Sequence, residues 1–67
     1  MSVAKIIELM GSSSKGFEDA LEQVIKRGCK TIRHVRGVEV ISQNIKLSED
    51  GSREYRVNVK ISFRIEN

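Results

Sequence analysis

The 67-residue chain is poor in the residues that build disulfide, zinc and base-stacking sites. It contains one cysteine, one histidine and no tryptophan, and aromatic residues make up only 4% of it. A single cysteine excludes a disulfide framework, and no Cys/His cluster has the spacing of zinc ligands. The shortage of aromatic rings also argues against a platform on which nucleic-acid bases stack.

Long apolar runs are absent too. No run approaches the roughly 20 residues of a membrane-spanning helix, and the N-terminus lacks the apolar core of a signal peptide. We therefore expect a cytoplasmic protein with no membrane partner. We also expect one domain over residues 1–67 that buries only about 60% of its unfolded surface. A fold this small often gains stability by oligomerisation, so we expect a homo-oligomer.

The excess of positive charge is small. Twelve Lys and Arg residues against nine Asp and Glu residues give a net charge of +3. Such a surplus suits a nucleic-acid or phosphate-bearing partner, but it is ordinarily solvated surface. A basic nucleic-acid-binding oligomer is therefore kept only as the second alternative function.

Residues 55–65 show the clearest pattern in the chain. Apolar and polar residues alternate here, and the segment contains neither Gly nor Pro. The apolar positions are Tyr55, Val57, Val59, Ile61, Phe63 and Ile65. Because successive side chains of a strand point to opposite faces, the alternation predicts a half-buried β-strand.

The remaining segments complete a β-α-β-β order. Their patterns predict a first strand over residues 3–10, a helix over residues 15–35, a second strand over residues 38–47 and a turn over residues 48–52. The helix carries the chain back, so the first two strands run parallel, and the hairpin makes the third antiparallel to both. The third strand can form antiparallel ladders with both others only by lying between them. This predicts an α+β fold with a three-stranded antiparallel sheet of order 1-3-2.

Two further details concern the shape of the sheet. The alternation of the second strand changes phase between Val40 and Ser42, which predicts a β-bulge there, and Gly51 is expected to take a positive φ in the turn. The first strand is apolar on both faces, with Ile7 on one and Ile6 on the other. One helix can cover only one face, so we expect a neighbouring copy to cover the other.

Gly11 and Gly16 have the spacing of a phosphate-binding loop. The motif fails at the next step, because an aromatic and an acidic residue stand where Lys and Ser/Thr are required. The segment from Gly11 to Gly16 is instead interpreted as the connection between the first strand and the helix. In it, Ser13 or Ser14 is expected to cap the first helical turn by accepting a backbone hydrogen bond.

No catalytic constellation is visible in the sequence. Cys29 lies on the apolar stripe of the predicted helix and is interpreted as a small core residue. His34 has no acid, Cys or second His at catalytic or metal spacing and is interpreted as a surface residue at the helix end. Because neither a triad nor a carboxylate pair can be identified, we do not expect an enzyme.

With these residues in place, the sequence resembles the dodecins over its whole length. Each matching stretch is short, but the order and spacing of the stretches are distinctive. They are residues 3–9, Gly11-Ser12-Ser13, residues 30–33, Glu39-Val40, Glu54-Tyr55 and residues 62–66. The resemblance implies a small β-α-β-β protein whose three-stranded antiparallel sheet partly wraps its one helix.

The resemblance also implies an assembly and a ligand. Dodecins are hollow homo-dodecamers that bind flavin without catalysing a reaction. Paired riboflavin or FMN molecules are held between tryptophans at subunit interfaces, and some members also hold coenzyme A. The family is usually interpreted as a flavin store.

The chain departs from the dodecin pattern at three of four ligand positions. The stacking tryptophan falls on Gly37, and the glutamine at the edge of the flavin ring falls on Arg56. An arginine that faces the phosphate in some members falls on Asn44. Arg64 alone matches, as the arginine of the Phe-Arg-Leu-Glu ending of the family.

These departures make the chain similar to the dodecin branch that lacks the tryptophan. One member of that branch is described as calcium-binding, but Glu49 and Asp50 supply too few oxygen ligands for calcium, which takes about six to eight. We therefore expect non-catalytic binding and storage of a small aromatic or anionic ligand, with flavin stacking weakened or lost. Ordinary storage of riboflavin or FMN is the first alternative.

Overall fold

The computed structural model describes residues 3–65. In chain order they form β1 (Ala4–Ser13), α1 (Phe17–Gln23), a π-helical turn (Val24–Gly28) that continues α1, β2 (Val35–Leu47) and β3 (Arg53–Arg64). β3 lies between β1 and β2 and pairs antiparallel with both. The predicted β-α-β-β fold and the strand order 1-3-2 are therefore confirmed.

The core lies between the helical segments and the central strand. The buried hydrophobic residues among those described are Ala20, Val24, Val57, Val59 and Ile61. The three from β3 are consecutive apolar positions of the predicted alternation, so the face assigned from the sequence is the one that packs on the helix. Complete burial of such a side chain contributes about 1.5–3 kcal/mol. Phe17 and Tyr55 extend the core with an edge-to-face ring contact, with centroids 5.1 Å apart.

Gly11 allows the helix to approach β1 closely. A Cβ atom at this position would lie 2.5 Å from the carbonyl oxygen of Ala20 and would collide with the side chain of Val24. Gly11 pairs with Val57 inside the sheet. The prediction that Gly11 begins the connection to the helix was therefore wrong, because β1 continues through Ser13.

The prediction that Ser13 or Ser14 caps the helix was also wrong. The N-cap residue is Gly16, and no side chain makes the capping hydrogen bond. Ser13 Oγ instead accepts the N–H of Lys15 at 2.9 Å and donates to Asp19 Oδ2 at 2.6 Å. Ser13 thus ties the end of β1 to the first turn of α1 through the Asp19 carboxylate.

The helical region ends at Gly28 and not at residue 35 as predicted. The apolar spacing that predicted a longer helix persists because Val35 packs against the same core from the first position of β2. Glycine favours an end here, since it lowers helix stability by about 1 kcal/mol. It also makes room for the neighbouring strand, because a Cβ on Gly28 would lie 2.6 Å from Leu9 Cδ1. Gly37 therefore lies inside β2 and does not end the helix.

His34 turns the chain from this connection into β2. Its φ is 60°, and its carbonyl oxygen accepts the N–H of Arg64 at 3.1 Å. The residue is half-buried and follows the helix by several positions. The prediction that His34 lies at the helix end was wrong, because the helical region ends at Gly28.

Irregularities of β2 bend the hairpin. The register with β3 shifts between Val40 and Ser42, which confirms the predicted bulge, and shifts again between Val35 and Gly37, which the sequence did not indicate. In the turn, Gly51 has the expected positive φ, at 90°. The connection is closed by hydrogen bonds from Ser52 N–H and Oγ to Asp50 Oδ1, at 2.9 and 2.7 Å.

The chain is elongated for its length. Its radius of gyration is 13.9 Å and its extents are 51 × 18 × 14 Å, whereas a compact monomer of this size would have a radius of about 11 Å. The helical segments pack mainly on β1 and β3, and the hairpin extends beyond them. Within residues 3–65, neither helical segment has the length and the apolar character that crossing a membrane requires.

Candidate functional site

The sheet has two chemically different faces. The inner face carries the buried side chains of β3 and packs on the helix. The outer face points away from the helix and carries the intervening residues, Arg56, Asn58, Lys60, Ser62 and Arg64, with their partners on β1 and β2. A hydrogen bond of 3.0 Å from Asn58 Nδ2 to Ser42 Oγ connects β3 to β2 across this face.

All four ligand positions predicted from the sequence lie on the outer face. Gly37 pairs with Ser62, and Asn44 pairs with Arg56. Arg64 is two residues from Ser62 on β3 and is therefore on the same face. Directly paired residues of an antiparallel ladder share a face, so the register alone brings these positions to one surface.

The four positions nevertheless form two separate groups. Gly37 and Arg64 lie near Ser62 at one end of the sheet, and Asn44 and Arg56 lie together at the hairpin end. Ser62 is six positions from Arg56 along β3, which corresponds to about 20 Å at 3.4 Å per residue. One chain therefore does not bring the four positions into a single pocket.

Arg56 is held by a carboxylate on its own strand. Its Nη2 donates to Glu54 Oε2 at 3.0 Å, and the two side chains are 29% and 40% exposed. Hydrogen bonding to Arg56 lowers the pKa of Glu54, and the charge of Arg56 and a hydrogen bond with Ser12 of β1 act in the same direction. Lys46 of β2 pairs with Glu54 and adds a further positive charge.

One donor of Arg56 is left over in this arrangement. Nε is buried and has no hydrogen-bond partner among residues 3–65. Leaving a buried donor unpaired costs about 1–3 kcal/mol, and more when the group is charged. No sequence pattern indicates this unpaired donor, because it depends on where the guanidinium lies on the sheet.

Gly37 leaves a gap on the outer face that a side chain could fill. Its φ lies outside the left-handed region, where the only glycine among residues 3–65 is Gly51. A Cβ on Gly37 would meet Ser62 Oγ at 3.2 Å, which a displacement of a few tenths of an ångström relieves. The backbone at this position therefore accepts residues other than glycine.

The inner face of β2 is apolar but lacks helical cover. We call this surface the β2 strip. Its residues, which are between 36% and 70% exposed, are Val38, Val40, Ile45 and Leu47. On the outer face of β1, Ile6 and Met10 are also exposed, so the first strand is apolar on both faces as predicted. Both surfaces remain open to solvent in the single chain.

A groove lies away from these positions. An open groove of about 620 Å³ runs between the second half of β1 and the helical segments. Its polar lining includes Ser12, Ser14, Lys15, Gln23 and Arg27. The sequence did not point to this groove, because its lining comes from β1, the connection and the helical segments, which only the fold brings together.

The remaining candidates from the sequence do not form a reactive site. Cys29 is half-buried and packs against the core, as predicted. Among residues 3–65 there is no group of three or more His, Cys, Asp or Glu residues that could hold a metal ion. The glycines with phosphate-loop spacing have separate roles, since Gly11 lies in β1 and Gly16 precedes α1.

The sequence model of the dodecin family matches residues 3–66 of the chain. The chain belongs to the dodecin family. The dodecin of Thermus thermophilus is 38% identical over 64 residues, which cover 96% of this chain and 93% of that protein. An arginine-to-alanine mutant of the T. thermophilus dodecin has a crystal structure that is similar with a TM-score of 0.90 and 36% identity, and 100% of each chain is covered.

The name of a second dodecin relative includes calcium. Calcium dodecin of Mycobacterium tuberculosis is 29% identical over 65 residues, which cover 97% of this chain and 92% of that protein. Its crystal structure gives a TM-score of 0.89 at 28% identity and covers 97% of this chain and 93% of that chain. The β-α-β-β architecture of this chain is therefore shared with the T. thermophilus dodecin and with calcium dodecin.

Proposed function

We propose that the chain is the subunit of a homo-dodecamer that binds a small ligand between its copies and catalyses no reaction. The main support is the arrangement of the ligand positions on the outer face. Gly37 and Arg64 lie about 20 Å from Asn44 and Arg56, so a ligand that contacts both groups needs a second copy of the chain. Ligand binding and assembly are then one property of the protein.

The exposed apolar surfaces support assembly independently. The β2 strip lies on the same face of the sheet as the residues that pack on the helix, but its own side chains are exposed in the single chain. Another copy of the chain can cover them. Five buried hydrophobic residues form a small core for residues 3–65. Burying apolar area contributes about 25 cal/mol per Å², and copies that cover the strip gain this energy.

The polar groups of the outer face favour an aromatic ligand that bears an anion. In the dodecin pattern to which the sequence is similar, the second strand supplies an arginine and the third a glutamine. Here the second strand supplies Asn44 and the third supplies Arg56, directly opposite each other. A carboxamide and a guanidinium are both retained, with their strands exchanged. FMN, riboflavin and coenzyme A are the ligands to test.

Flavin binding is expected to be weaker than in a dodecin with a stacking tryptophan. Gly37 supplies no ring, and the chain contains no tryptophan. Stacking on an aromatic side chain is worth about 1–3 kcal/mol per ring. Its loss weakens binding by about tenfold to a hundredfold.

Calcium is not part of the proposal. Within residues 3–65 of one chain, no group of three or more His, Cys, Asp or Glu residues could hold a metal ion, so one chain does not form a calcium site by itself. On the outer face, Glu8 and Glu39 lie on either side of Lys60. A positive charge between the two carboxylates disfavours a divalent cation there.

The decisive experiment examines the protein as purified, before dialysis. Absorption spectra and mass spectrometry identify any ligand that remains bound, and light scattering determines the number of subunits. We expect twelve subunits and a bound or exchangeable aromatic ligand, with riboflavin, FMN and coenzyme A then titrated separately. A folded monomer or dimer at micromolar concentration contradicts the assembly, and an intact dodecamer that binds none of the three contradicts the ligand class.

A further inference from the structure

Glu54 and Arg56 form a closed pair inside the hairpin-end group of ligand positions. They are two residues apart on β3, so their side chains share the outer face, and Arg56 Nη2 lies 3.0 Å from Glu54 Oε2. Ser12 of β1 lies opposite Arg56 in the sheet, and its side chain helps to lower the pKa of the Glu54 carboxyl group. The guanidinium is therefore already engaged by an oxyanion that belongs to the protein.

The pair does not use the donors of Arg56 fully. A guanidinium has five N–H donors in a planar fork that matches a carboxylate or phosphate. Nε is buried and has no acceptor among residues 3–65. Arg56 would gain hydrogen bonds if its guanidinium moved to an oxyanion that reaches both Nε and an Nη nitrogen, as bidentate pairs do.

The pair is also accessible enough to be exchanged. The side chains of Arg56 and Glu54 are 29% and 40% exposed, so water screens their attraction. Partly exposed ion pairs contribute little to stability, and an external oxyanion can compete with the internal one. Once released, Glu54 still lies opposite the positively charged Lys46 of β2.

We propose that Glu54 is an internal competitor for the anionic group of the ligand. In the empty site it holds the Arg56 guanidinium against the sheet, and a phosphate on the ligand replaces it when the ligand binds. Glu54 is thus a positioning residue that sets specificity, because it weakens the binding of anionic ligands and leaves neutral ligands unaffected. This inference rests on the proposed function, since Arg56 must belong to the ligand site.

FMN and riboflavin provide the matched probes, because they share the ring system and differ in the phosphate. In the intact oligomer, Glu54→Gln is expected to raise the affinity for FMN about twofold to fivefold, the range for release of a partly exposed ion pair. The affinity for riboflavin should stay unchanged. Glu18→Gln is the control, because it removes the same charge from an exposed position on α1.

Two further variants separate the specific effect from a general one. Glu54→Asp keeps the charge but withdraws the carboxylate by one methylene group, and it should give a smaller rise in FMN affinity. In an Arg56→Gln background, Glu54→Gln should have no effect on FMN, because the group for which the phosphate and Glu54 compete is gone. A double-mutant cycle over these two positions measures the coupling directly.

The outcomes distinguish the two proposals. A rise in FMN affinity that is as large in Glu18→Gln, or that persists without Arg56, overturns the role of Glu54. If the parent binds FMN and neither Glu54→Gln nor Glu54→Asp changes the FMN affinity, the role of Glu54 is also overturned. The proposed function then remains in place. Failure of the parent and of Glu54→Gln to bind either flavin, with the oligomer intact by light scattering, overturns the flavin part of the proposed function and this inference together.

Discussion

Asn44 of β2 lies directly opposite Arg56 of β3, so a carboxamide and a guanidinium stand side by side on the outer face. Directly opposed residues of an antiparallel pair have Cβ atoms about 4.5–5.5 Å apart. An exchange of the two residue types across the pair therefore moves each chemical group by roughly one strand spacing. The dodecin pattern, with arginine on the second strand and glutamine on the third, is such an exchange.

This geometry predicts that the exchange can be reversed. Arg56→Gln alone should bring the affinities for FMN and riboflavin closer together, because the site loses its guanidinium. Asn44→Arg combined with Arg56→Gln should restore the preference for FMN to within about threefold of the parent, a difference smaller than 1 kcal/mol. Calorimetric titration of both flavins measures the ratio. A double variant that behaves like Arg56→Gln alone would show that the two positions are not equivalent.

Gly37→Trp should increase the affinity for riboflavin about tenfold to a hundredfold, because it adds a stacking face worth about 1–3 kcal/mol. The backbone at Gly37 is outside the left-handed region, and the new Cβ requires only a small movement of Ser62 Oγ. Quenching of flavin fluorescence should accompany binding. Gly37→Leu is the control for bulk without an aromatic ring, and equal gains in both variants would show that stacking is not the missing interaction.

Assembly should depend on the β2 strip. Val40→Thr together with Ile45→Thr keeps β-branched side chains but places hydroxyl groups where we expect contact with another copy. Each change should weaken assembly by about 1 kcal/mol or more per subunit through lost apolar burial and an added polar group. Light scattering and thermal unfolding over a range of subunit concentrations measure the effect, since assembly stabilises only the folded state.

Val3→Thr is the matched control for these two variants. Val3 is 62% exposed and lies outside the strip, so its replacement removes the same kind of apolar group from another part of the surface. An equal loss of assembly in Val3→Thr would mean that the strip has no special role.

Gly11→Ala should destabilise the fold, whereas Gly16→Ala should not. A Cβ on Gly11 would meet the Ala20 carbonyl oxygen at 2.5 Å and the Val24 side chain, and such overpacking costs about 1–3 kcal/mol. Gly16 has no atom within 4 Å of the equivalent position and an extended backbone, so its replacement should cost less than about 1 kcal/mol. Urea unfolding at one subunit concentration compares the two. Equal stability of both variants would contradict the close contact between helix and strand.

Ser13→Ala should reduce the dependence of stability on pH in acid. The hydrogen bond from Ser13 Oγ lowers the pKa of Asp19 below its ordinary 3.8, and the charge of Lys15 acts in the same direction. A carboxylate whose pKa is lowered by folding stabilises the fold above its unfolded pKa, and this contribution is lost as the pH falls through the folded pKa. The difference between parent and variant should therefore be larger at about pH 7 than at about pH 2.5. Ser14→Ala should leave the pH dependence unchanged.

The sequence by itself determined the order of the sheet and the face of its central strand. The alternation over residues 55–65 assigned Val57, Val59 and Ile61 to the buried face. Side chains of a strand point alternately to two faces, and only one of the two faces is apolar here. Connectivity then required β3 to lie between β1 and β2. The bulge after Val40 and the positive φ of Gly51 were local features that a few neighbouring residues specify.

Only the tertiary structure decided where the helix ends and which side chains meet. Apolar spacing continued past Gly28 because Val35 faces the same core from a strand, and periodicity does not distinguish a helical residue from a strand residue that packs on one core. The position of Gly11 inside β1 depends on the approach of the helix, which no local pattern records. Likewise, the pairing of Asn44 with Arg56 follows from the register after a bulge. A single extra residue in β2 moves every later side chain to the other face of the sheet, so the site depended on a geometry that only the folded sheet defines.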